Sequence, residues 1–523
     1  MATADTTRAE IPIILVRGFG GLDVGDEKKL AYYGFNDGTV YPQKRGENYI
    51  YEGMILRFLK SAWRYQDATN VIGYYGSPIT DTREIPAELE SFPKEFFIGD
   101  KIVVDPAMAL ALRRNPDPKR TLWVFRYYDL DDRNFEQYGI ALKRLIELIR
   151  ALVTQRTGDT QPKVNIIAHS MGGLIVRETL QAAYAAGTAA ESVNKVVTLG
   201  TPHQGITFQR LGNLKWLPML DAASEIARFD PVEQAKSSNP IGYGSLSKAF
   251  PLDRFLTVIG TNYRTFGVGP ATLLNRLFSV EGEFGLNYNR SDGLVKIASA
   301  GIPGAPRAFV HKCHGGPDSL ITSREAFEIA TRFFHGDIHA RLRLVEAQIS
   351  KGRDWLGKSE FFIGVSLKPR GVDFDLFHQS KEAENCYGPF RNNELDDTDV
   401  AFDWLGPDRT RRVLYEGWLD SGQAPPEADD LVMRLETYVG ERDLFGIGFS
   451  DNLIHHGHCY VQATLDDGLK LFKHAGEKFT DAGEPLQQLP DRTWLLPITG
   501  DGFQAKFGIE LSFVPEEGER TLV

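Results

Sequence analysis

One segment, residues 163–186, constrains the fold of this chain more than any other. Its first part, KVNIIAHS, is apolar and ends in Ser170, and its second part, GGLIVRETLQAAYAA, has the apolar spacing of a helix. Only Met171 separates the two parts. Since a strand and a helix joined so closely must approach each other, small residues are needed at the junction, and Ala168 and Gly172 supply them. The segment predicts a strand, a sharp turn at Ser170 and a helix.

The same alternation of strand and helix runs through the first 336 residues. Apolar runs bounded by turn residues predict further strands, and a helix is predicted near 134–153 from Leu142, Leu145 and Ile149. Alternating strands and helices are typical of a mostly parallel sheet with helices on both faces. The predicted strands are 11–16 (IPIILV), 121–129 (TLWVFRYYD), 163–170, 195–202 (KVVTLGTP) and 255–260 (FLTVIG).

The pattern changes after residue 336. A helix near 338–350 is expected to form a linker over 337–356, and extended runs separated by turns rich in Gly, Pro and Asp follow it. Successive short strands favour a β-sandwich over 357–523. The runs are FFIGVSLKP, RRVLYEGWL, DLVMRLETYVG, CYVQATL, LKLFKHA, TWLLPI and FGIELSFV.

Composition excludes several classes of protein. The chain of 523 residues carries a net charge of −11, which argues against nucleic acid as a partner. Its three cysteines are far apart and odd in number, so a disulfide framework is not expected. The apolar run at 11–16 is too short for a signal peptide or a membrane span. We therefore expect a cytoplasmic protein without a transmembrane segment, and export by a signal-independent route stays open.

The turn in AHSMGG (168–173) has the features of a nucleophile elbow. In such a turn the serine Oγ projects from the end of the strand, and the N-terminus of the next helix favours developing negative charge. The alternative interpretation is a serine that caps the helix.

Together with RGFGG (17–21) and LGTPHQG (199–205), the AHSMGG motif resembles the lipase branch of the α/β-hydrolases. The resemblance covers roughly residues 11–20, 120–205 and 255–335, and nothing in the C-terminal third is recognisable. It implies an α/β-hydrolase fold over 1–336, with insertions near 22–118 and 206–254 that cap an acyl pocket. The sequence departs from the family in having Ala168 at the first position of G-x-S-x-G and Arg17 where many relatives have histidine.

The resemblance also implies a catalytic triad in the chain order serine, acid, histidine. Asp292 in SDGLV (291–295) matches the acid, although an Asp-Gly pair is also an ordinary turn. His311 and His314 follow in FVHKCHGGPD. We favour His314 as the base because it precedes a Gly-Gly loop, and His311 remains the alternative. His203 is assigned a structural position, and His169 is expected to pack or to form a hydrogen bond locally.

Two backbone N–H groups are expected to form the oxyanion hole. One belongs to Met171, and the resemblance assigns the other to Phe19 in RGFGG. The alternative for the glycines around Phe19 is a plain tight turn.

Two polar clusters remain. His455, His456, His458 and Cys459 could suggest zinc, but their spacing matches no defined site and a turn between strands explains it equally well. An acidic loop at Asp396, Asp397 and Asp399 is interpreted as a solvated turn rather than a calcium site. No metal and no cofactor is predicted.

The sequence therefore predicts a serine carboxylic-ester hydrolase of lipase or phospholipase type, acting through Ser170, His314 and Asp292 on an ester or lipid. Peripheral contact with lipid is compatible with this function. An acyltransferase using the same triad is the first alternative. A non-catalytic scaffold whose β domain binds a partner is the second. The oligomeric state is left open.

Overall fold

The structure is a computed structural model, and the chain forms two compact units in it. Unit 1 comprises Met1–Val258, Ser299–Ala305 and His314–Phe327, and unit 2 comprises Ile259–Ala298, Pro306–Cys313 and Glu328–Val523. The residues that the structure describes are 10–18, 31–32, 35–36, 51–61, 64–69, 72–74, 78–80, 85–113, 115–125, 135–205, 246–263, 291–316, 318–350, 359–380, 383, 385–390, 412–424, 430–442, 452–464, 469–475, 483–514 and 521–522.

The first eleven strands are β1 (Ile13–Val16), β2 (Ala31–Tyr32), β3 (Phe35–Asn36), β4 (Gln66–Thr69), β5 (Ile72–Tyr74), β6 (Ile102–Val104), β7 (Thr121–Phe125), β8 (Val164–His169), β9 (Val193–Leu199), β10 (Phe255–Gly260) and β11 (Arg307–Val310). Seven of them form a sheet in the order β11-β10-β9-β8-β1-β7-β4. All five pairings from β10 across to β4 are parallel.

The central strands are buried because helices cover the sheet. Every residue of β1, β7 and β8 is buried, as expected of a parallel sheet that is covered on both faces. The longest helix buries an apolar stripe that includes Leu142, Leu145 and Ile149. The helices are α1 (Glu52–Lys60), α2 (Pro106–Arg113), α3 (Phe135–Thr157), α4 (Gly172–Glu178), α5 (Ala189–Ser192), α6 (Ile297–Ala300) and α7 (Arg324–His335).

This architecture confirms the predicted α/β-hydrolase fold. Each predicted strand of the first 336 residues overlaps an observed strand, and the helix predicted near 134–153 is α3. The insertion near 22–118 is described in part, and it contributes β4 to the edge of the central sheet. Most of the insertion near 206–254 lies outside the described residues.

The helical linker predicted over 337–356 is wrong. Residues Ile338–Ile349 form a strand, β12, which pairs on both sides with other strands. Its sequence alternates in the way a strand requires, because Leu342 and Leu344 are buried while Arg341 and Arg343 are more exposed. A period of two residues therefore outweighs the helical propensity of these residue types.

The C-terminal strands form two antiparallel sheets. After β12 the strands are β13 (Glu360–Pro369), β14 (Phe377–His378), β15 (Tyr387–Phe390), β16 (Val413–Leu419), β17 (Asp430–Arg442), β18 (Asn452–Thr464), β19 (Lys470–Ala475), β20 (Glu484–Pro485), β21 (Gln487–Gln488), β22 (Trp494–Gly500), β23 (Phe503–Phe513) and β24 (Thr521–Leu522). One sheet has the order β16-β12-β23-β22-β21, with β24 beside β23. The other sheet has the order β14-β13-β17-β18-β19-β20, with β15 beside β13. Leu342 and Leu511 from the first sheet line one interior cavity with Leu367 and Leu435 from the second. The two sheets therefore pack as the predicted β-sandwich.

Among the helices that the structure describes, none combines the length and the apolar character needed to cross a bilayer.

Candidate active site

Ser170 lies at the sharp turn between β8 and α4. Its φ is 53°, in the left-handed region that residues with a side chain rarely adopt. The backbone holds it there, because its N–H donates to the Leu199 carbonyl at 2.9 Å and its carbonyl accepts from Thr201 Oγ1 at 2.8 Å. Strain of this kind persists only where the surroundings enforce it, and it is typical of functional turns.

Glycines after Ser170 allow this turn to pack tightly. A Cβ on Gly172 would lie 2.5 Å from the Arg17 carbonyl oxygen, and a Cβ on Gly173 would collide with Thr201 Oγ1. The predicted need for small residues at the junction therefore has a direct cause in the approach of α4 to β1 and to the turn after β9.

The imidazole of His314 lies beside the serine hydroxyl. Its Nε2 lies 2.8 Å from Ser170 Oγ, within hydrogen-bond reach. Both residues are buried, with 5% and 4% of their surface exposed. Ser170 Oγ thus contacts an imidazole, and no side-chain capping bond starts α4. The alternative histidine, His311, has its Nδ1 3.0 Å from Thr261 Oγ1.

Asp292 lies in a tight turn of unit 2. Its Oδ1 accepts the N–H groups of Leu294 at 3.0 Å and Val295 at 2.7 Å, and the side chain is buried. Gly293, with φ at 104°, permits this turn. The carboxylate is therefore held in one orientation by its own loop.

The structure describes one of the two expected oxyanion donors, Met171. Met171 directly follows Ser170, and its N–H donates no hydrogen bond to any described residue. This N–H is the one that the sequence assigns to the oxyanion hole. Phe19 lies outside the described residues, although Gly18 before it is described.

His169 has hydrogen-bond partners at both ring nitrogens. Its Nδ1 is 2.9 Å from the hydroxyl of Tyr51, and its Nε2 is 2.9 Å from the carbonyl oxygen of His314. Burial, with a smaller contribution from His314, lowers the pKa of His169 to about 3. No pattern in the sequence assigned Tyr51, which directly precedes α1, to the site.

His203 has the structural environment that was expected of it. Its Nε2 is 2.9 Å from Thr198 Oγ1, and its carbonyl accepts from the buried guanidinium of Arg177 at 2.8 Å. Burial lowers the pKa of Arg177 to about 9 and lowers that of His203 well below its usual value. This cluster braces the loop after β9.

The histidines of the 455–459 cluster all lie on β18. Successive side chains of a strand point to opposite faces, so His455 and His456 diverge. His455 Nε2 is 3.0 Å from Thr437 Oγ1, and His456 bonds with Glu436 instead. Within the described ranges no three Cys, His, Asp or Glu side chains converge as a metal site would require. Asp396, Asp397 and Asp399 lie outside those ranges.

Comparison with known proteins relates this site to one family. Residues 113–213 match the family model described as a PGAP1-like alpha/beta domain. The match includes β7, α3, β8, the turn at Ser170, α4 and β9. It agrees with the resemblance to α/β-hydrolases that the motifs indicated. No curated protein matches the chain significantly.

Solved structures with weak similarity include three enzymes. Bacillus licheniformis lipase BlEst2 in mature form is 16% identical, covering 58% of this chain and 84% of its own, with a TM-score of 0.27. Phospholipase PlaB from Legionella pneumophila is 11% identical, covering 91% of both chains, with a TM-score of 0.32. Staphylococcus hyicus lipase is 12% identical, covering 62% and 94%, with a TM-score of 0.28. At these TM-scores no residue of this chain is assigned from the alignments.

Proposed function

We propose that this protein is a serine carboxylic-ester hydrolase that acts on lipid esters. One observation carries the proposal: Ser170 occupies a strained turn between a strand and a helix, and its Oγ lies 2.8 Å from His314 Nε2. A serine is a weak nucleophile until an adjacent base activates it, and this arrangement provides the base. The motifs AHSMGG, RGFGG and LGTPHQG support an ester of a lipid as the substrate class.

In the proposed mechanism Ser170 Oγ attacks the ester carbonyl while His314 Nε2 takes its proton. The tetrahedral oxyanion accepts hydrogen bonds from the N–H of Met171 and from that of Phe19. His314 then protonates the leaving alcohol, and an acyl-enzyme remains on Ser170. Water, activated by the same imidazole, hydrolyses the acyl-enzyme and restores the serine.

We assign the acid of the triad to Asp292. The assignment rests on the chain order and on the turn of Ser291–Lys296, in which Asp292 Oδ1 is occupied by two backbone N–H groups. In this role the carboxylate would accept a hydrogen bond from His314 Nδ1, which selects the tautomer with a free Nε2 and stabilises the imidazolium.

The function is tested on the full-length wild-type protein. We expect a fluorophosphonate probe to modify Ser170, and we expect hydrolysis of p-nitrophenyl esters of increasing chain length and of phospholipid vesicles. Added glycerol or a long-chain alcohol separates hydrolysis from acyl transfer, because a transferase would convert the alcohol into an ester. A folded protein that leaves the probe unreacted would be a scaffold, and the proposed function would be wrong.

Asp292→Asn should lower kcat by up to about 10⁴ if the carboxylate orients His314. The amide oxygen can still accept the N–H groups of Leu294 and Val295, so the turn should persist while the charge is lost. The measurement is kcat on a short-chain ester, beside the melting temperature. Asp420→Asn is the matched control, since Asp420 is also buried and accepts the Gly422 N–H in the same way. Equal activity of both variants would exclude Asp292 from the triad.

A further inference from the structure

Tyr51 and His169 connect two loops that surround Ser170. Tyr51 precedes α1, and its hydroxyl accepts the N–H of Gly18, two residues after β1, at 2.7 Å. The same hydroxyl lies 2.9 Å from His169 Nδ1. On its other side, His169 Nε2 lies 2.9 Å from the carbonyl oxygen of His314, 145 residues further along the chain.

The directions of these hydrogen bonds follow from one another. The carbonyl oxygen of His314 can only accept, so His169 Nε2 carries a proton and donates to it. In the neutral imidazole Nδ1 is then an acceptor, and it accepts the proton of the Tyr51 hydroxyl. Because burial lowers the pKa of His169 to about 3, the ring stays neutral at the pH values at which His314 would work as a base.

The packing around this chain of bonds is close. A Cβ on Gly18 would lie 2.9 Å from His169 Nδ1 and 3.0 Å from both Tyr51 Oη and Ser170 Cβ. The Arg17 guanidinium lies over the Tyr51 ring, 4.6 Å from its centre, and this cation–π contact helps to hold the ring. Tyr51 and His169 therefore have little freedom to shift without moving the backbone at Gly18 or His314.

We propose that Tyr51 and His169 form a positioning relay that sets the oxyanion loop at Gly18 and the histidine loop at His314 relative to Ser170. The relay rests on the proposed function, since it acts by placing the His314 imidazole, the proposed base, and the backbone at Gly18 beside Ser170. Neither relay residue exchanges a proton with the substrate. Their effect is on alignment, and a misplacement of about 1 Å in such a site costs on the order of 10²-fold in rate.

Variants of the relay should lower kcat and leave KM nearly unchanged. Tyr51→Phe removes the shared hydroxyl, and His169→Asn keeps an acceptor near the Nδ1 position but loses the donor to the His314 carbonyl. We expect each variant to reduce kcat about 10- to 100-fold, where kcat is calculated per protein molecule whose serine reacts with the fluorophosphonate probe. His169→Gln, whose amide can reach the Nε2 position, should recover part of the loss. The midpoint of the pH dependence of kcat/KM should stay in place, because His169 does not titrate in that range.

A double-mutant cycle and a matched tyrosine separate the relay from general stability. If the two residues act as one chain, Tyr51→Phe with His169→Asn should be about as slow as the slower single variant, whereas independent effects would multiply. Tyr65→Phe is the control, because Tyr65 is buried and donates to the Ile11 carbonyl at 2.9 Å. Multiplied losses, or relay variants no slower than Tyr65→Phe, would overturn the proposal.

A spectroscopic measurement on the wild-type protein tests the relay without an activity assay. Imidazole ¹⁵N spectra between about pH 5 and 8 should show His169 neutral with its proton on Nε2, as its pKa and partners require. A proton on Nδ1, or titration in this range, would refute the relay even if the enzyme is active. Absence of probe reaction at Ser170 would refute the proposed function instead, so the two failures are distinguishable.

Discussion

Ser170→Ala should abolish ester hydrolysis, with an expected loss on the order of 10⁴–10⁶ in kcat. The variant lacks the only atom that would form the acyl-enzyme, while the rest of the site is retained. Its fold should persist, because alanine and serine have similar backbone preferences at the φ of 53° that this turn imposes. Only the hydrogen bond between Ser170 Oγ and His314 Nε2 is lost, which costs about 1 kcal/mol of stability.

The loss is measured as kcat on a short-chain ester, together with mass spectrometry of the probe-treated protein. Ser192→Ala is the matched control, since Ser192 is equally buried and its Oγ bonds to Glu147 at 2.9 Å, outside the candidate site. We expect the control to retain wild-type turnover and probe reaction. Turnover of Ser170→Ala within about tenfold of wild type would contradict the nucleophile assignment.

His314→Ala should be nearly as damaging, with a loss on the order of 10⁴–10⁶ in kcat. The imidazole is the proposed base, and its Nε2 lies 2.8 Å from Ser170 Oγ, so the variant removes the group that would take the serine proton. Alanine keeps the backbone carbonyl that accepts from His169, so the loop should stay in place. The variant therefore separates loss of the base from loss of the loop.

His311→Ala is the natural control for this experiment. Its Nδ1 bonds to Thr261 Oγ1, so its removal should cost some stability and little activity. The measurements are kcat, melting temperature and the rate of fluorophosphonate reaction, which also depends on the base. A reversed result, with His311→Ala inactive and His314→Ala active, would make His311 the base.

The fold was predictable wherever local pattern and global packing agree. The strands β1, β7 and β8 are short, fully buried and mostly apolar runs, and α3 has a regular apolar stripe, so each element is specified within its own residues. The turn at Ser170 was predictable for the same reason, because its strand, serine and glycines are adjacent in the chain. The prediction failed at β12, where alternation was present in Arg341 to Leu344 but was judged to be helical.

The sequence by itself determined the strand–turn–helix at Ser170, the parallel sheet around it and the succession of strands after residue 338. It also contained every residue of the proposed triad, in order. Only the tertiary structure decided which polar groups meet. The bonds from His314 to Ser170 and to His169 span 144 and 145 residues, and Tyr51 reaches His169 across 118. Hydrogen bonds depend on distance and angle between atoms that the chain topology brings together, and no spacing in the sequence encodes those coordinates.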